Sequence, residues 1–172
     1  HQRFGDLGVT LRHGYGLAPV APGEVDTVVL AGLSDRTIVE VLDDAQPHWP
    51  SLKTVICCPA MVEAYLRPGL RERGFRVLTE DLVFEAGRSY DVIVATQGQP
   101  RDVPEPWQRW GPALYEEGHP RLLEHLKGRR HTMRRAFKSL DFAGYRDPDG
   151  GLLPMGKKLA VLDQLIAELD PQ

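Results

Sequence analysis

Apolar residues in the first half of the chain form short continuous runs, and each run is followed by a segment with helical spacing. The run EVDTVVLAG is β-branched and unbroken, which is typical of a strand buried on both faces of a parallel sheet. From Asp35 the apolar residues Ile38, Val39, Val41 and Leu42 recur at a helical interval. Ser34 or Asp35 is expected to cap that helix at its amino end.

The same alternation repeats once. LKTVICC predicts a second buried strand, and AMVEAYLRPGLRERG predicts a second helix that is closed by Gly74 and kinked or interrupted at Pro68. Upstream of both units, LGVTLRHG predicts a further short strand. The pattern therefore predicts an α/β fold built around a parallel sheet.

Two β-rich runs, FRVLTEDLVFE and SYDVIVATQ, follow directly and are separated by the turn AGR. This arrangement predicts a hairpin, so the sheet should be parallel with an antiparallel strand at its edge. The Pro-rich connector GQPRDVPEPWQRWGP comes next. The division expected is a sheet domain over residues 1–104 and a linker with a helical arm over 105–172.

The arm is predicted to contain two helices. The first covers LYEEGHPRLLEHLKGRRHTMRRAFKSL, and the second covers KKLAVLDQLIAELD, with apolar residues at Leu159, Leu162, Leu165 and Ile166. The first helix carries a basic stripe, which we define as Lys127, Arg130, Arg134, Arg135 and Lys138. Such a stripe suits the phosphate backbone of RNA, although it is also compatible with a solvated face that balances acids such as Glu116, Glu117 and Glu124.

Composition restricts the remaining choices. The chain has 172 residues and a net charge of -3, which argues against nucleic-acid binding over the whole surface but leaves room for a local basic patch. No apolar run has the length of a membrane helix. The adjacent Cys57 and Cys58 point to opposite faces of a strand, which favours two free thiols in a cytoplasmic protein. No spacing of His, Cys and acidic residues suggests a metal site.

Several stretches, taken together, resemble the bacterial tRNA methyltransferases that modify N1 of adenine 22, which belong to the class I S-adenosylmethionine-dependent methyltransferases. VDTVVLAGL is similar to the strand and AGMGG turn of that family, and LRHGYGL is similar to its NGDGL-type turn. The segment from TVICCPA to VATQG follows the family's QPN strand, helix and hairpin in order and spacing. WGPALYEEGHPRLLEHLKGRRH resembles its FGP segment and the start of its coiled-coil arm. The similarity covers roughly residues 9 to 140.

The resemblance implies a partial Rossmann-like methyltransferase sheet with an appended helical arm, S-adenosylmethionine as cofactor and tRNA as substrate. It assigns cofactor binding to Gly14, Gly16, Leu17, Ala31, Gly32, Leu33 and Pro59. It assigns no catalytic base, because N1 of adenine has a free lone pair. It places RNA contact on the basic stripe.

Departures from the family pattern leave alternatives open. Ser34-Asp35 replaces Gly-Gly, Cys58-Pro59-Ala60 replaces Gln-Pro-Asn, and the family's DIGSDHA-type cofactor loop would lie upstream of residue 1. We therefore expect this chain alone to bind S-adenosylmethionine weakly or not at all. A degenerate RNA-binding or assembly module and an unrelated α/β protein are the alternative interpretations.

The strand at 25–31 is also expected to have an edge that needs cover. That cover would come from residues 1–12 or from a second copy of the chain, which makes a homodimer.

Overall fold

The structure is a computed structural model that describes residues 8–60, 65–142 and 153–171. It contains four strands in one sheet, namely β1 (Thr27–Ala31), β2 (Thr54–Cys58), β3 (Phe75–Glu85) and β4 (Arg88–Gln97). The helices are α1 (Asp35–Asp44), α2 (Leu66–Glu72), α3 (Trp107–Trp110), α4 (Pro112–Glu116), α5 (Leu122–Phe142) and α6 (Leu153–Leu169), with a short 3-10 turn at Gln46–His48.

The strand order is β1-β2-β4-β3. β1 and β2 are parallel, and β4 is antiparallel to both of its neighbours. The expectation of an antiparallel strand at the edge is therefore wrong, because β4 inserts between β2 and β3. The hairpin folds back so that its second strand fills the interior position.

Helix α1 begins where the sequence predicts. Ser34 adopts an extended conformation, and its hydroxyl accepts a hydrogen bond from the Thr37 amide at 3.1 Å. Ser34, and not Asp35, is therefore the N-cap. Helix α2 begins only at Leu66, so Pro68 lies in its first turn and no interruption occurs. The start of that predicted helix, residues 61–64, lies outside the described residues.

A two-residue turn at Ala86 and Gly87 joins β3 to β4, and both residues have positive φ, at 47° and 74°. This is the left-handed backbone that the twist of a tight hairpin requires. The hairpin extends past β2, because Ile93 pairs with Cys57 while residues 88–91 continue beyond the end of β2. It therefore projects beyond the carboxyl edge of the sheet, which we define as the edge where β1 and β2 end.

The main core lies on one face of the sheet. Val55, Cys57, Ile93 and Ala95 are fully buried there against Ile38 and Leu42 of α1 and Leu66 and Leu70 of α2. The opposite face is half-buried to exposed, and Val29 is 62% exposed. The prediction that this strand is buried on both faces is therefore wrong for the described chain, in which helices cover only one face.

The outer edge of β1 has no strand partner among the residues described. Residues 9–13 are exposed and form no strand, which corrects the prediction of a strand in that segment. Lone strands are unstable without a neighbour to accept their backbone hydrogen bonds. Residues 8–12 therefore do not cover the edge, and the first seven residues lie outside the described part.

A second core joins the arm to the hairpin. Leu122 and Leu126 of α5 and Leu162 and Leu165 of α6 are buried with Leu82 of β3. Ion pairs from Lys127 to Asp170 and from Arg130 to Asp163 show that α5 and α6 run antiparallel, as predicted. The first arm helix starts later than predicted, at Leu122, because Gly118 and Pro120 end α4 and separate it from α5. No helix in the described ranges has the length and hydropathy to cross a membrane.

Candidate functional site

Two turns meet at the carboxyl edge of the sheet. The Gly32 amide donates to the carbonyl of Cys58 at 3.0 Å, and the Ala60 amide donates to the carbonyl of Leu33 at 2.9 Å. The turn after β1 is thus joined to the turn after β2. This is the edge at which open α/β sheets bind their ligands.

Gly32 gives the first turn its shape. Its φ is +74°, and a Cβ at this position would have no atom within 4 Å. The space beside Gly32 is therefore open, and the residue is needed for its backbone conformation. Ala31 is also exposed, whereas Leu33 is half-buried and Pro59 is buried.

Asp35, the first residue of α1, also contacts the residue that precedes α2. Its carboxylate is 1% exposed and accepts a hydrogen bond from the Tyr65 amide at 3.1 Å. The guanidinium of Arg36 lies 5.6 Å from the centre of the Tyr65 ring. The side chain that replaces a glycine of the family pattern therefore holds the start of α2 against the start of α1.

The turn at residues 14–17 has a different set of contacts. A Cβ on Gly16 would lie 3.0 Å from Val41 of α1, and one on Gly14 would lie 2.8 Å from Pro19. Leu17 is 8% exposed and belongs to the main core. The structure brings Ala31, Gly32, Leu33 and Pro59 together, while the contacts of this turn within the described chain are with α1 and Pro19.

The basic stripe is divided between two environments. Lys127 pairs with Asp170, and Arg130 and Arg134 both pair with Asp163. Asp163 lies in α6 and Asp170 directly follows it, so the expected balance by Glu116, Glu117 and Glu124 is wrong. Arg135 and Lys138 are exposed and have no ion-pair partner in the described part of the chain.

The structure contains a buried charged cluster that the sequence analysis did not predict. Arg67, Glu80, Asp91 and His125 are each at most 5% exposed, and Arg129 joins them from α5. Glu80 and Asp91 occupy core-facing positions of their strands, next to Leu82 and Ile93. Charged residues in phase with apolar ones were the signal that could have revealed the cluster.

The cluster shifts the acidity of its members. The pKa of His125 is lowered to about 4, first by burial and then by the guanidinium groups of Arg129 and Arg67, against the opposing effect of Asp91. Burial raises the pKa of Asp91, but Arg129 and Arg67 outweigh it and hold that carboxyl well below its usual range. At neutral pH the imidazole of His125 is therefore neutral beside the Asp91 carboxylate and the two guanidinium groups.

Cys57 lies in the main core, whereas Cys58 is half-buried on the other face of the sheet. Both are free thiols, and burial raises the pKa of Cys57 to about 12. A thiol with that pKa is not a nucleophile at neutral pH. Within the described ranges no group of His, Cys, Asp and Glu side chains could hold a metal ion.

The comparisons with known proteins agree with this geometry. A family model described as a methyltransferase domain matches residues 5–93. The chain belongs to the methyltransferase domain family. This methyltransferase domain is 26% identical over 90 residues to the tRNA (adenine(22)-N(1))-methyltransferase of Bacillus subtilis strain 168. The match covers 52% of the chain, and the chain spans 38% of the length of that curated relative.

Three solved structures have the same fold. Sp1610 of Streptococcus pneumoniae, in complex with S-adenosyl-L-methionine, has a TM-score of 0.74 at 20% identity, covering 96% of this chain and 73% of that one. TrmK of B. subtilis, an M1A22 tRNA methyltransferase, has a TM-score of 0.73 at 21% identity, covering 94% and 71%. TrmK of M. capricolum, with S-adenosyl-homocysteine, has a TM-score of 0.67 at 16% identity, covering 96% and 73%. The predicted fold class and the resemblance are confirmed.

The described residues do not by themselves fit S-adenosylmethionine. At the carboxyl edge they present the backbone of residues 31–33 and 58–60, which two hydrogen bonds join. The carboxylate at this edge, Asp35, is buried and bound to the Tyr65 amide, so it is not placed to receive ribose hydroxyls. A cofactor of this size needs a cavity that surrounds most of its surface. The described chain presents an open edge instead.

Proposed function

We propose that this chain is part of an S-adenosylmethionine-dependent tRNA methyltransferase that acts on N1 of adenine. In this proposal it supplies one side of the crevice together with the arm that holds the RNA. The observation that carries the proposal is the pair of hydrogen bonds that links the open Gly32 turn to the turn after β2. These turns lie at the edge of a methyltransferase domain where such sheets bind ligands. The relatives' activity on tRNA supports the choice of substrate.

The cofactor contacts belong to this proposal. Ala31, Gly32, Leu33 and Pro59 lie together at the carboxyl edge, where backbone groups could approach the ligand closely. Gly14, Gly16 and Leu17 would contribute through the turn that packs on α1. No general base is assigned, because the lone pair on N1 of adenine is free to attack. The protein must instead take the base out of its stack and orient it.

The RNA contacts would come from the arm. Arg135 and Lys138 are exposed and unpaired within the described chain, while Lys127, Arg130 and Arg134 also face α6. A division of the chain near residue 104 is part of the same proposal. It is supported by the second core, in which most of the buried residues lie beyond residue 104.

Two further features complete the proposal. A homodimer in which a second copy pairs along β1 is supported by the edge of β1, which has no strand partner among the described residues, and by the exposure of Val29. Sedimentation velocity of the chain would reveal it. A cytoplasmic location follows from the tRNA substrate.

The alternative is a non-catalytic RNA-binding or assembly module of methyltransferase ancestry. The buried Asp35 carboxylate favours it, because this side chain stands where the family pattern has a glycine and lies at the cofactor edge. In that case the chain would bind tRNA, but the complete protein would transfer no methyl group.

The test is transfer of a labelled methyl group from S-adenosylmethionine to unmodified tRNA, with N1-methyladenine located by arrest of reverse transcription. The protein from the complete open reading frame is expected to methylate, and the 172-residue chain is expected to bind the cofactor weakly or not at all by calorimetry. Absence of transfer together with tRNA binding would establish the alternative. Micromolar binding of S-adenosylmethionine by this chain would contradict the description of the carboxyl edge as open.

A further inference from the structure

A buried cluster of charges lies where the arm meets the sheet domain. We call it the junction and define it as Arg67, Glu80, Asp91, His125 and Arg129. The members come from α2, β3, β4 and α5, so the junction connects the hairpin, a helix of the main core and the arm. Asp91 lies two residues before Ile93, the β4 residue that pairs with Cys57 near the end of β2. The junction therefore lies next to the carboxyl edge.

The bonds of the junction are short and directional. Arg67 donates from Nε to Glu80 at 2.6 Å and from its terminal nitrogen to Asp91 at 2.8 Å. The second oxygen of Asp91 accepts from Arg129 at 2.6 Å. One carboxylate thus bridges a guanidinium of the sheet domain and a guanidinium of the arm.

His125 adds a second link between the arm and the hairpin. Arg129 Nε donates to His125 Nε2 at 2.9 Å, so Nε2 must be the acceptor and the ring proton must be on Nδ1. Nδ1 then donates to the Ser89 hydroxyl, 2.8 Å away. The imidazole is held in one tautomer between α5 and β4, and it is 1% exposed.

Glu80 extends the junction to the connector. Its Oε2 accepts from the amides of Ala113 and Leu114 at 2.8 and 3.4 Å, at the first turn of α4. The segment that leads from the sheet domain into the arm is therefore tied to the same group of side chains.

Stability alone does not account for such an arrangement. A buried ion pair is often no more stabilising than a well-packed apolar pair of the same size. Apolar contacts such as those of Leu82, Leu122 and Leu126 hold α5 on the hairpin, but they have little directional preference. The hydrogen bonds of the junction do have a directional preference, and they allow a single rotation and register of α5.

We propose that the junction is a positioning device that sets the angle of the arm relative to the carboxyl edge, with Asp91 as its central positioning residue. The part of this inference that concerns RNA binding rests on the proposed function. The junction fixes α5 at His125 and Arg129, and Arg135 and Lys138 follow on the same rigid helix. A small change of angle at the junction is therefore carried to the RNA-binding side chains.

The first test measures the arm without RNA. Spin labels are placed on Glu40→Cys in α1 and His131→Cys in α5, which are both exposed, and their distance distribution is recorded by pulsed electron resonance. A labelled sample without the added cysteines accounts for the half-buried Cys58. Arg129→Met is compared with Arg109→Met, a charge-matched change at an exposed residue of α3.

The expected result is a single narrow distribution for the parent and for R109M, and a broad or shifted one for R129M with unchanged helix content. A narrow parent-like distribution for R129M overturns the proposal. R129M can be expected to fold, because the Arg129 side chain is already 15% exposed.

The second test uses the sign of the charge. Asp91→Asn removes a negative charge from a protein that would bind a polyanion, so simple electrostatics predicts tighter tRNA binding. Loss of arm positioning predicts weaker binding, by about fivefold or more, in a filter titration with unmodified tRNA. Equal or tighter binding by folded D91N overturns the role of the junction in RNA binding.

The two tests separate this inference from the proposed function. If the parent chain itself fails to bind tRNA, the proposed function fails, and the distance measurement still decides whether the junction holds the arm. If D91N does not fold, the R129M distribution makes that decision: broadening supports the proposal and a narrow distribution overturns it.

Discussion

The Tyr65 amide donates a hydrogen bond to the buried Asp35 carboxylate across 3.1 Å, and this bond joins the starts of α1 and α2. Asp35 is separated from Tyr65 by an entire strand in the sequence. Its carboxylate stands in the first turn of α1, where a negative charge is favoured by the helix dipole. The departure from the family's glycine pair therefore has a structural role in closing the two turns.

Replacement of Asp35 should loosen this contact. Asp35→Ala leaves the Tyr65 amide without its acceptor, so we expect the free energy of unfolding to fall by about 1–3 kcal/mol. Asp35→Asn should lose less, because the amide oxygen can still accept. Urea denaturation at neutral pH measures both. The matched control is Glu40→Ala on the exposed face of α1, and a loss in the control as large as that of D35A would contradict the assignment.

A pair of glycines tests the packing of α1 on α2. A Cβ on Gly69 would lie 2.6 Å from Val39 Cγ2, whereas one on Gly128 in α5 would meet nothing within 4 Å. Gly69→Ala should therefore destabilise the protein by about 1–2 kcal/mol. Gly128→Ala should stabilise it by about 0.5–1 kcal/mol through helix propensity alone. Thermal unfolding distinguishes them, and changes of the same sign would show that the helices are not this close.

Acid should destabilise the fold through His125. Its pKa is lowered from 6.5 to about 4 in the folded state. The unfolded chain therefore binds the proton first, and the stability present above pH 6.5 is lost as the pH falls toward 4, by up to ~3 kcal/mol. Unfolding free energies measured at intervals across this window report the loss.

His125→Gln is the informative variant for this dependence. The glutamine carbonyl can accept from Arg129 as Nε2 does, yet it cannot take up a proton in this range. The loss between pH 6.5 and 4 should shrink accordingly. If H125Q loses as much stability as the parent, another group is responsible.

Local signals in the sequence predicted most of the elements. Ser34 caps α1 because a hydroxyl followed by a helical apolar pattern is a local feature, and Gly74 closes α2 with a φ of +76° for the same reason. The hairpin turn at Ala86-Gly87 also depends only on neighbouring residues. These features need no knowledge of distant parts of the chain.

The remaining features depend on contacts between distant residues. The interior position of β4 results from pairing with β2, which no local pattern contains. The pairing of Arg130 and Arg134 with Asp163 depends on how α6 folds back on α5. At the site, the resemblance assigned Gly32 and Pro59 to cofactor contact, but the hydrogen bonds that join their turns and the bond of Asp35 to Tyr65 depend on distant contacts. The phase of Glu80 and Asp91 with apolar residues indicates buried charges, but not which side chains pair with them.

The central claim, that the arm presents this methyltransferase domain to tRNA, is tested most directly by filter binding of unmodified tRNA over a series of salt concentrations. We predict steep salt dependence for the parent chain. Arg135→Ala with Lys138→Ala should lower the affinity about tenfold and reduce the slope of log affinity against log salt by about 1–2. The control, Lys53→Ala with Arg109→Ala, removes the same charge elsewhere and should change little. Salt-independent binding, or equal losses in the two double variants, would contradict the account.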